Sequence, residues 1–131
     1  MRMENPLLLP PLTLAYLGDS LYEAFVRERL LERGHVKVND LHKASMKYVR
    51  ATAQAAILAA IMPTLTEQEQ DVVRRGRNAK GHAAPKSAEA GEYAASTGFE
   101  ALVGYLHLSG RRERLSQVLL AAASVVESAS G

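Results

Sequence analysis

The chain has 131 residues, of which 47% are apolar and 23% are charged, and it contains no cysteine. This length and composition fit one domain with a single core, and they exclude intrinsic disorder, disulfide scaffolds, cysteine-ligated zinc and thiol nucleophiles. Because the formal charge is only +2, any case for a polyanionic partner depends on how the cations are distributed along the chain.

Apolar residues recur at helical spacing and no segment alternates convincingly with period two, so we predict an all-α domain of about five helices. The first helix is predicted from about residue 11 to a stop at Gly34. Its inward stripe is expected to consist of Leu14, Leu17, Leu21 and Phe25. Three prolines interrupt the apolar stretch that leads into this helix, and no apolar run is long enough to span a bilayer. We therefore expect neither a signal peptide nor an anchor.

Capping residues predict the next two helices. Asn39 is the expected N-cap of a second helix over about residues 40–61, which ends before Pro63. Thr66 and Glu69 have the spacing of a capping box, which predicts that a third helix begins between them.

Residues 74–86 contain five cations, two glycines, a proline and no acid. Since glycine and proline disfavour a helix interior, we predict a basic loop here, followed by helices over about 87–109 and 111–128 with a stop at Gly110. A segment with this charge is either a solvated surface loop or a phosphate-binding loop. The glycines and an asparagine favour phosphate binding, because backbone amides and short side chains can approach a phosphate closely. The candidate contacts are Arg74, Arg75, Arg77, Asn78, Lys80 and Lys86. A second basic patch, on the second helix, comprises His42, Lys43, Lys47 and Arg50.

Two isolated acids stand in apolar helices, each shortly after a glycine. Asp19 follows Gly18 and is either a solvent-facing acid or a metal ligand, in which case the glycine permits close packing against a neighbouring element. Glu100 follows Gly98 and Phe99 ahead of a long apolar run. Carboxylates without histidine or cysteine partners suit Mg²⁺ or Mn²⁺, and such a pair is compatible with metal-assisted phosphodiester hydrolysis.

Four segments, taken together, resemble the Mini-ribonuclease III family, the short bacterial branch of ribonuclease III that lacks the double-stranded-RNA-binding domain. They are residues 14–30 (LAYLGDSLYEAFVRERL), 40–55 (DLHKASMKYVRATAQA), 74–80 (RRGRNAK) and 96–115 (STGFEALVGYLHLSGRRERL). They occur in the family order and cover nearly the whole chain between residue 12 and about residue 125.

The resemblance implies that residues 1–131 form one nuclease domain, with its core at about 12–127, that cuts double-stranded RNA with Mg²⁺ or, in its place, Mn²⁺. Asp19 falls on the acid of the Gly-Asp motif and Glu100 on the acid of the Phe-Glu-Ala-Leu motif, so both are implied catalytic metal ligands. Two further acids of full-length ribonuclease III fall on Ala15 and Thr97. They cannot be carried over, which leaves the number of metal ions open.

The resemblance also implies a substrate and an assembly. The family's characteristic substrate is the precursor of large-subunit (23S) ribosomal RNA, cut to 5′-phosphate and 3′-hydroxyl ends with help from a ribosomal protein. A cytoplasmic location follows, and the lack of cysteine is compatible with it. A homodimer is implied, and the residues favour it too, because Tyr16, Tyr22 and Val26 place apolar side chains beside the inward stripe of the first helix.

Two other functions stay open on the residues alone. An RNA-binding module would retain the basic loop and use Asp19 and Glu100 for packing or dimer contacts. A helical adaptor for other proteins would not bind duplex RNA even at low salt. Fragments that form from a labelled duplex with Mg²⁺ and not with EDTA would identify the nuclease.

Overall fold

The computed structural model describes residues 5–79 and 89–129. This part of the chain contains six α-helices and two short 3-10 turns and has no strand, so the all-α prediction is confirmed. The helices are α1 (Pro11–Glu32), α2 (Val38–Val49), α3 (Ala51–Ile61), α4 (Glu67–Asn78), α5 (Ala90–Leu108) and α6 (Arg112–Ala129), and the 3-10 turns are Pro6–Leu8 and Met62–Thr64. Within the described ranges, no helix has the length and apolar character needed to cross a membrane.

Helix α5 is the central helix of the fold. Helices α1, α3, α4 and α6 all pack against it, and its residues 101–106 are buried on every side. The Phe99 ring meets the Tyr22 ring of α1 edge to face, with 5.1 Å between ring centroids. A helix that is apolar all round is stable only inside a shell of neighbours, so the long apolar run after residue 100 determines its central position.

Glycines allow α1 and α5 to touch through their backbones. A Cβ atom added at Gly18 would lie 1.7 Å from the carbonyl oxygen of Glu100. A Cβ atom added at Gly104 would lie 2.1 Å from the carbonyl oxygen of Leu14. No side chain fits at either position, so the expectation that Gly18 permits close packing is confirmed.

The buried face of α1 is rotated relative to the predicted stripe. Leu14 is fully buried, but Leu17, Leu21 and Phe25 are only partly buried. The buried positions after Leu14 and its neighbour Ala15 are Gly18, Tyr22, Val26 and Leu30. The close approach to α5 at Gly18 sets this rotation, and the spacing of the leucines does not reveal it.

The predicted second helix is in fact two helices. Arg50, at φ −62° and ψ 155°, separates α2 from α3. Side chains donate hydrogen bonds to two backbone carbonyls near the break. The Tyr22 hydroxyl donates to the Tyr48 carbonyl oxygen at 2.9 Å, and the Gln54 amide donates to the Val49 carbonyl oxygen at 2.8 Å. Because no glycine or proline marks the break, the helical pattern runs through it, and the prediction of one helix is wrong.

Most helix ends lie where their local signals placed them. Gly34 and Gly110 have φ of 98° and 74°, a conformation that favours glycine, and they follow α1 and α5 as predicted. The capping box of Thr66 and Glu69 is present at the start of α4. Asn39 is not an N-cap, because α2 begins at Val38 and Asn39 lies in its first turn.

The basic segment is helical where a loop was predicted. Residues 74–78 form the end of α4, and a Cβ atom at Gly76 would lie 2.8 Å from the Cα of Gly98. The glycine in this segment therefore serves a helix–helix contact, and the loop prediction is wrong over these five residues. Lys80 and Lys86 lie outside the described residues.

Glu127 joins α6 to α1 and α2. Its carboxylate accepts hydrogen bonds from the Arg29 guanidinium at 2.7 and 2.8 Å and from the Tyr48 hydroxyl at 2.8 Å. Arg33 lies 3.5 Å away. The hydrogen bonds from Arg29 are the main cause that lowers the pKa of Glu127 to about 2.

We expect Glu127 to make the stability of the fold depend on acid pH. Since its pKa is lower in the folded than in the unfolded state, its contribution is complete above about pH 4.5 and is lost as the pH falls toward 2. Glu127→Gln should lower the free energy of unfolding at pH 7 by about 2 kcal/mol. It should also flatten the acid dependence, which urea titrations between pH 7 and pH 3 measure. A variant with the wild-type acid slope would contradict this role.

Candidate active site

Asp19 of α1 and Glu100 of α5 line one cleft of about 440 Å³. The backbone contact at Gly18 places the two acids next to each other, close enough for Asp19 to raise the pKa of Glu100. The other lining residues are Leu12, Ala15, Tyr16, Val49, Ala51, Gln54, Tyr93, Ser96 and Thr97. The structure therefore brings together two acids that are 81 positions apart in the sequence.

The surroundings of Glu100 favour its protonated form. Burial is the largest cause that raises its pKa to about 8, and the hydrogen bond and negative charge of Asp19 add to the effect. Repulsion between the two acids therefore acts in the same direction as burial but is not the main cause. Burial and the neighbouring carboxylate therefore both disfavour a second negative charge in the metal-free cleft.

Gln54 of α3 is a further polar residue of the cleft that was not predicted from the sequence. Its Nε2 donates to the Val49 carbonyl oxygen at 2.8 Å and to Glu100 Oε2 at 3.2 Å. Its Oε1 is buried and accepts no hydrogen bond within the described part of the protein. A buried polar atom without a hydrogen-bond partner lowers the stability of a fold by about 1–3 kcal/mol. One signal was available: Gln54 is the one long polar side chain in the helix ATAQAAILAAI, whose other residues apart from Thr52 are apolar.

These residues fit a hard divalent cation. Two carboxylates and a free amide oxygen are the donors that Mg²⁺ accepts, and Mg²⁺ usually retains several water ligands. Within the described residues, no group of three or more histidine, cysteine, aspartate and glutamate side chains could hold a metal ion. The donor set of Asp19, Glu100 and Gln54 is thus small and consists of oxygen alone.

Ala15 and Thr97, on which the family resemblance places two further acids of full-length ribonuclease III, line the same cleft. Both residues are buried, and the Thr97 hydroxyl donates to the Tyr93 carbonyl oxygen at 3.1 Å. Neither position supplies a carboxylate, so the negative charge of the cleft comes from Asp19 and Glu100.

The cations of the α4 segment differ in what they contact. Arg74 forms an ion pair with Asp71 one turn earlier. Arg75 donates to the Leu7 carbonyl oxygen at 3.4 Å and so ties the N-terminal 3-10 turn to α4. Arg77 is exposed, and its stem lies beside Gly98, on the turn of α5 that leads to Glu100. Arg77 is therefore the arginine of this segment best placed for an external phosphate.

The second basic patch lies on α2 and at its end. His42, Lys43, Lys47 and Arg50 are all exposed. Arg50 stands between Val49 and Ala51, which both line the cleft, and its Nε donates to the Met46 carbonyl oxygen at 3.2 Å. The α2 patch thus ends at the wall of the cleft.

Comparison with known proteins gives one consistent result. The family model described as Ribonuclease III domain matches residues 12–111. The chain is 77% identical to Mini-ribonuclease 3 of Symbiobacterium thermophilum, over 97% of this chain and 98% of that protein. It is 49% identical to Mini-ribonuclease 3 of Brevibacillus brevis, over 96% of this chain and 94% of that one. The fold matches the crystal structure of protein FN1578 from Fusobacterium nucleatum with a TM-score of 0.79 at 28% identity, covering 87% and 91% of the two chains.

Proposed function

The chain belongs to the Mini-ribonuclease III branch of the ribonuclease III family, and we propose on that premise that it is a divalent-metal-dependent endonuclease for double-stranded RNA. The observation that carries the proposal is the meeting of Asp19 and Glu100 in one cleft, each from a different core helix. We propose further that residues 1–131 act as one nuclease domain and that both acids are catalytic metal ligands.

Asp19 and Glu100 would hold Mg²⁺, or Mn²⁺ in its place. When bound, the cation supplies a Lewis acid that polarises the phosphodiester and promotes the ionisation of water. Glu100 gives up the proton that its buried position favours, and Gln54 keeps one of its oxygens in place through Nε2. Hydrolysis adds one water across the P–O3′ bond, with hydroxide joining phosphorus and a proton joining O3′, which leaves 5′-phosphate and 3′-hydroxyl ends.

We propose that the nuclease acts as a homodimer joined through the region of α1. Tyr16, Tyr22 and Val26 were the three side chains of α1 expected to favour a dimer interface. Tyr22 and Val26 lie in the core of the protomer, whereas Tyr16 is 84% exposed. Tyr16 also lines the cleft beside Asp19. A two-fold dimer would present two clefts to one duplex, one for each strand. Sedimentation at micromolar concentration measures the mass directly.

The proposed substrate is the precursor of 23S ribosomal RNA, in the cytoplasm, with a large-subunit ribosomal protein as the partner that assists cleavage. The family resemblance supports this assignment, and the physics of A-form RNA is compatible with it. Such duplexes are recognised through backbone and shape. The exposed cations on α2 and at the end of α4 suit that kind of contact, which does not read the bases.

Neutralising Arg75, Arg77 and Lys80 together should weaken binding to all duplex sequences alike. The slope of log affinity against log salt should flatten by about one for each phosphate contact that is lost. Cleavage at saturating RNA should fall less than affinity, because these residues position the duplex and do not activate water. Filter binding at several salt concentrations measures the slope.

A single-residue comparison separates the arginines of this segment. Arg77→Gln should reduce affinity more than Arg74→Gln, because Asp71 already neutralises Arg74. Unchanged affinity and salt slope in the triple variant would assign RNA binding to the α2 patch of His42, Lys43, Lys47 and Arg50.

The proposed function is tested with a labelled RNA duplex and its two separated strands. We expect fragments from the duplex with Mg²⁺, none with EDTA, and little cleavage of either single strand. Binding of the duplex without metal-dependent fragments would support an RNA-binding module. No binding at low salt would support an adaptor for other proteins.

A further inference from the structure

Gln54 comes from α3 and meets the two acids from a third side of the cleft. Its Nε2 reaches two oxygens, those of the Val49 backbone and of the Glu100 carboxylate. Both oxygens are acceptors in the ionised site, so the amide nitrogen must face them and the amide oxygen must face away. The orientation of the side chain is thus determined by its neighbours.

The amide oxygen that results from this orientation is unused. Gln54 is 2% exposed, and its Oε1 has no hydrogen-bond partner in the described part of the protein. Standard amide geometry places this oxygen no more than about 5.5 Å from Glu100 Oε2. A buried oxygen without a partner beside two carboxylates is matched by a cation or by water that the cation holds.

We propose that Gln54 is a positioning residue of the cation site: its amide nitrogen orients Glu100, and its carbonyl oxygen is a third oxygen donor from the side of α3. This inference rests on the proposed function and goes beyond the two motif acids. It accounts for how a site with two carboxylates, where Ala15 and Thr97 contribute none, retains a cation. It also gives the long polar side chain in an apolar helix a purpose.

The test compares Gln54→Met with Gln70→Met in the full chain. Gln70 is the matched control, since its Nε2 likewise donates to two oxygens, here the backbone carbonyls of Met62 and Leu65, away from the cleft. Mn²⁺ affinity is measured on the RNA-free protein by water-proton relaxation. We expect it to fall about 10-fold or more in Gln54→Met and to stay at the wild-type value in Gln70→Met.

Cleavage provides the second readout. The Mn²⁺ concentration for half-maximal cleavage should rise by the same factor in Gln54→Met, with most of the rate recovered at saturating Mn²⁺. Gln54→Asn retains the amide but is one methylene too short to reach both oxygens, so it should show the same shift. It replaces Gln54→Met in the test if the methionine variant does not fold.

Each outcome has a distinct meaning. Wild-type Mn²⁺ affinity in a folded Gln54 variant overturns the inference, and so does failure of both variants to fold while Gln70→Met folds, which would assign Gln54 to the fold alone. If the wild-type protein itself neither binds Mn²⁺ nor cuts duplex RNA, the proposed function fails instead.

Discussion

Asp19→Asn and Glu100→Gln are each expected to lower the rate of duplex cleavage at saturating RNA by at least about a thousandfold. Each substitution retains the shape of the side chain and removes one of the two carboxylates that would hold the cation. Because Ala15 and Thr97 contribute no carboxylate, no neighbouring acid in the cleft can compensate. Single-turnover cleavage in Mg²⁺ measures the loss.

Binding and a matched substitution distinguish this loss from unfolding. Duplex affinity should be equal to or higher than that of the wild type, since an anion near the phosphate is removed. Glu28→Gln, an exposed acid of α1, should leave the rate within about twofold, as expected for a surface change away from the cleft. Near wild-type turnover in either cleft variant would exclude that acid as a metal ligand.

Gly18→Ala is expected to destabilise the protein by more than about 3 kcal/mol. The added Cβ would lie 1.7 Å from the backbone oxygen of Glu100, so α1 must move away from α5. The gain in helix propensity, about 1 kcal/mol, is too small to offset this. Cleavage should fall as well, because the same movement separates Asp19 from Glu100.

Gly91→Ala is the matched control. It is also a helical glycine, but a Cβ atom there has no neighbour within 4 Å. We expect it to stabilise the protein by up to about 1 kcal/mol, as in an exposed helix. Urea denaturation of both variants measures the difference. Equal stability of the two variants would show that the α1–α5 contact tolerates a side chain.

The local features of the fold could be predicted because neighbouring residues determine them. Thr66 and Glu69 cap α4 through their own side chains, and Gly34 and Gly110 adopt a backbone conformation that few other residues tolerate. The long apolar run of α5 requires burial wherever it lies. The family resemblance rests on short contiguous motifs, which the sequence displays directly.

The tertiary structure alone decided the features that depend on distant residues. Helix α1 turns Tyr22 and Val26 inward because Gly18 touches α5. The predicted second helix is interrupted at Arg50, where the side chains of Tyr22 and Gln54 donate hydrogen bonds to nearby backbone carbonyls. Gly76, in the basic segment, lies within α4 because α5 packs closely against it at Gly98.

The candidate site divides in the same way. The sequence singled out Asp19 and Glu100, because an acid in an apolar helix contradicts the local pattern and matches a family motif. It did not reveal that burial, more than repulsion, raises the pKa of Glu100, or that Gln54 completes the cleft from a third helix. Burial and hydrogen bonding between residues far apart in the chain exist only once the helices have packed, so only the tertiary structure determines them.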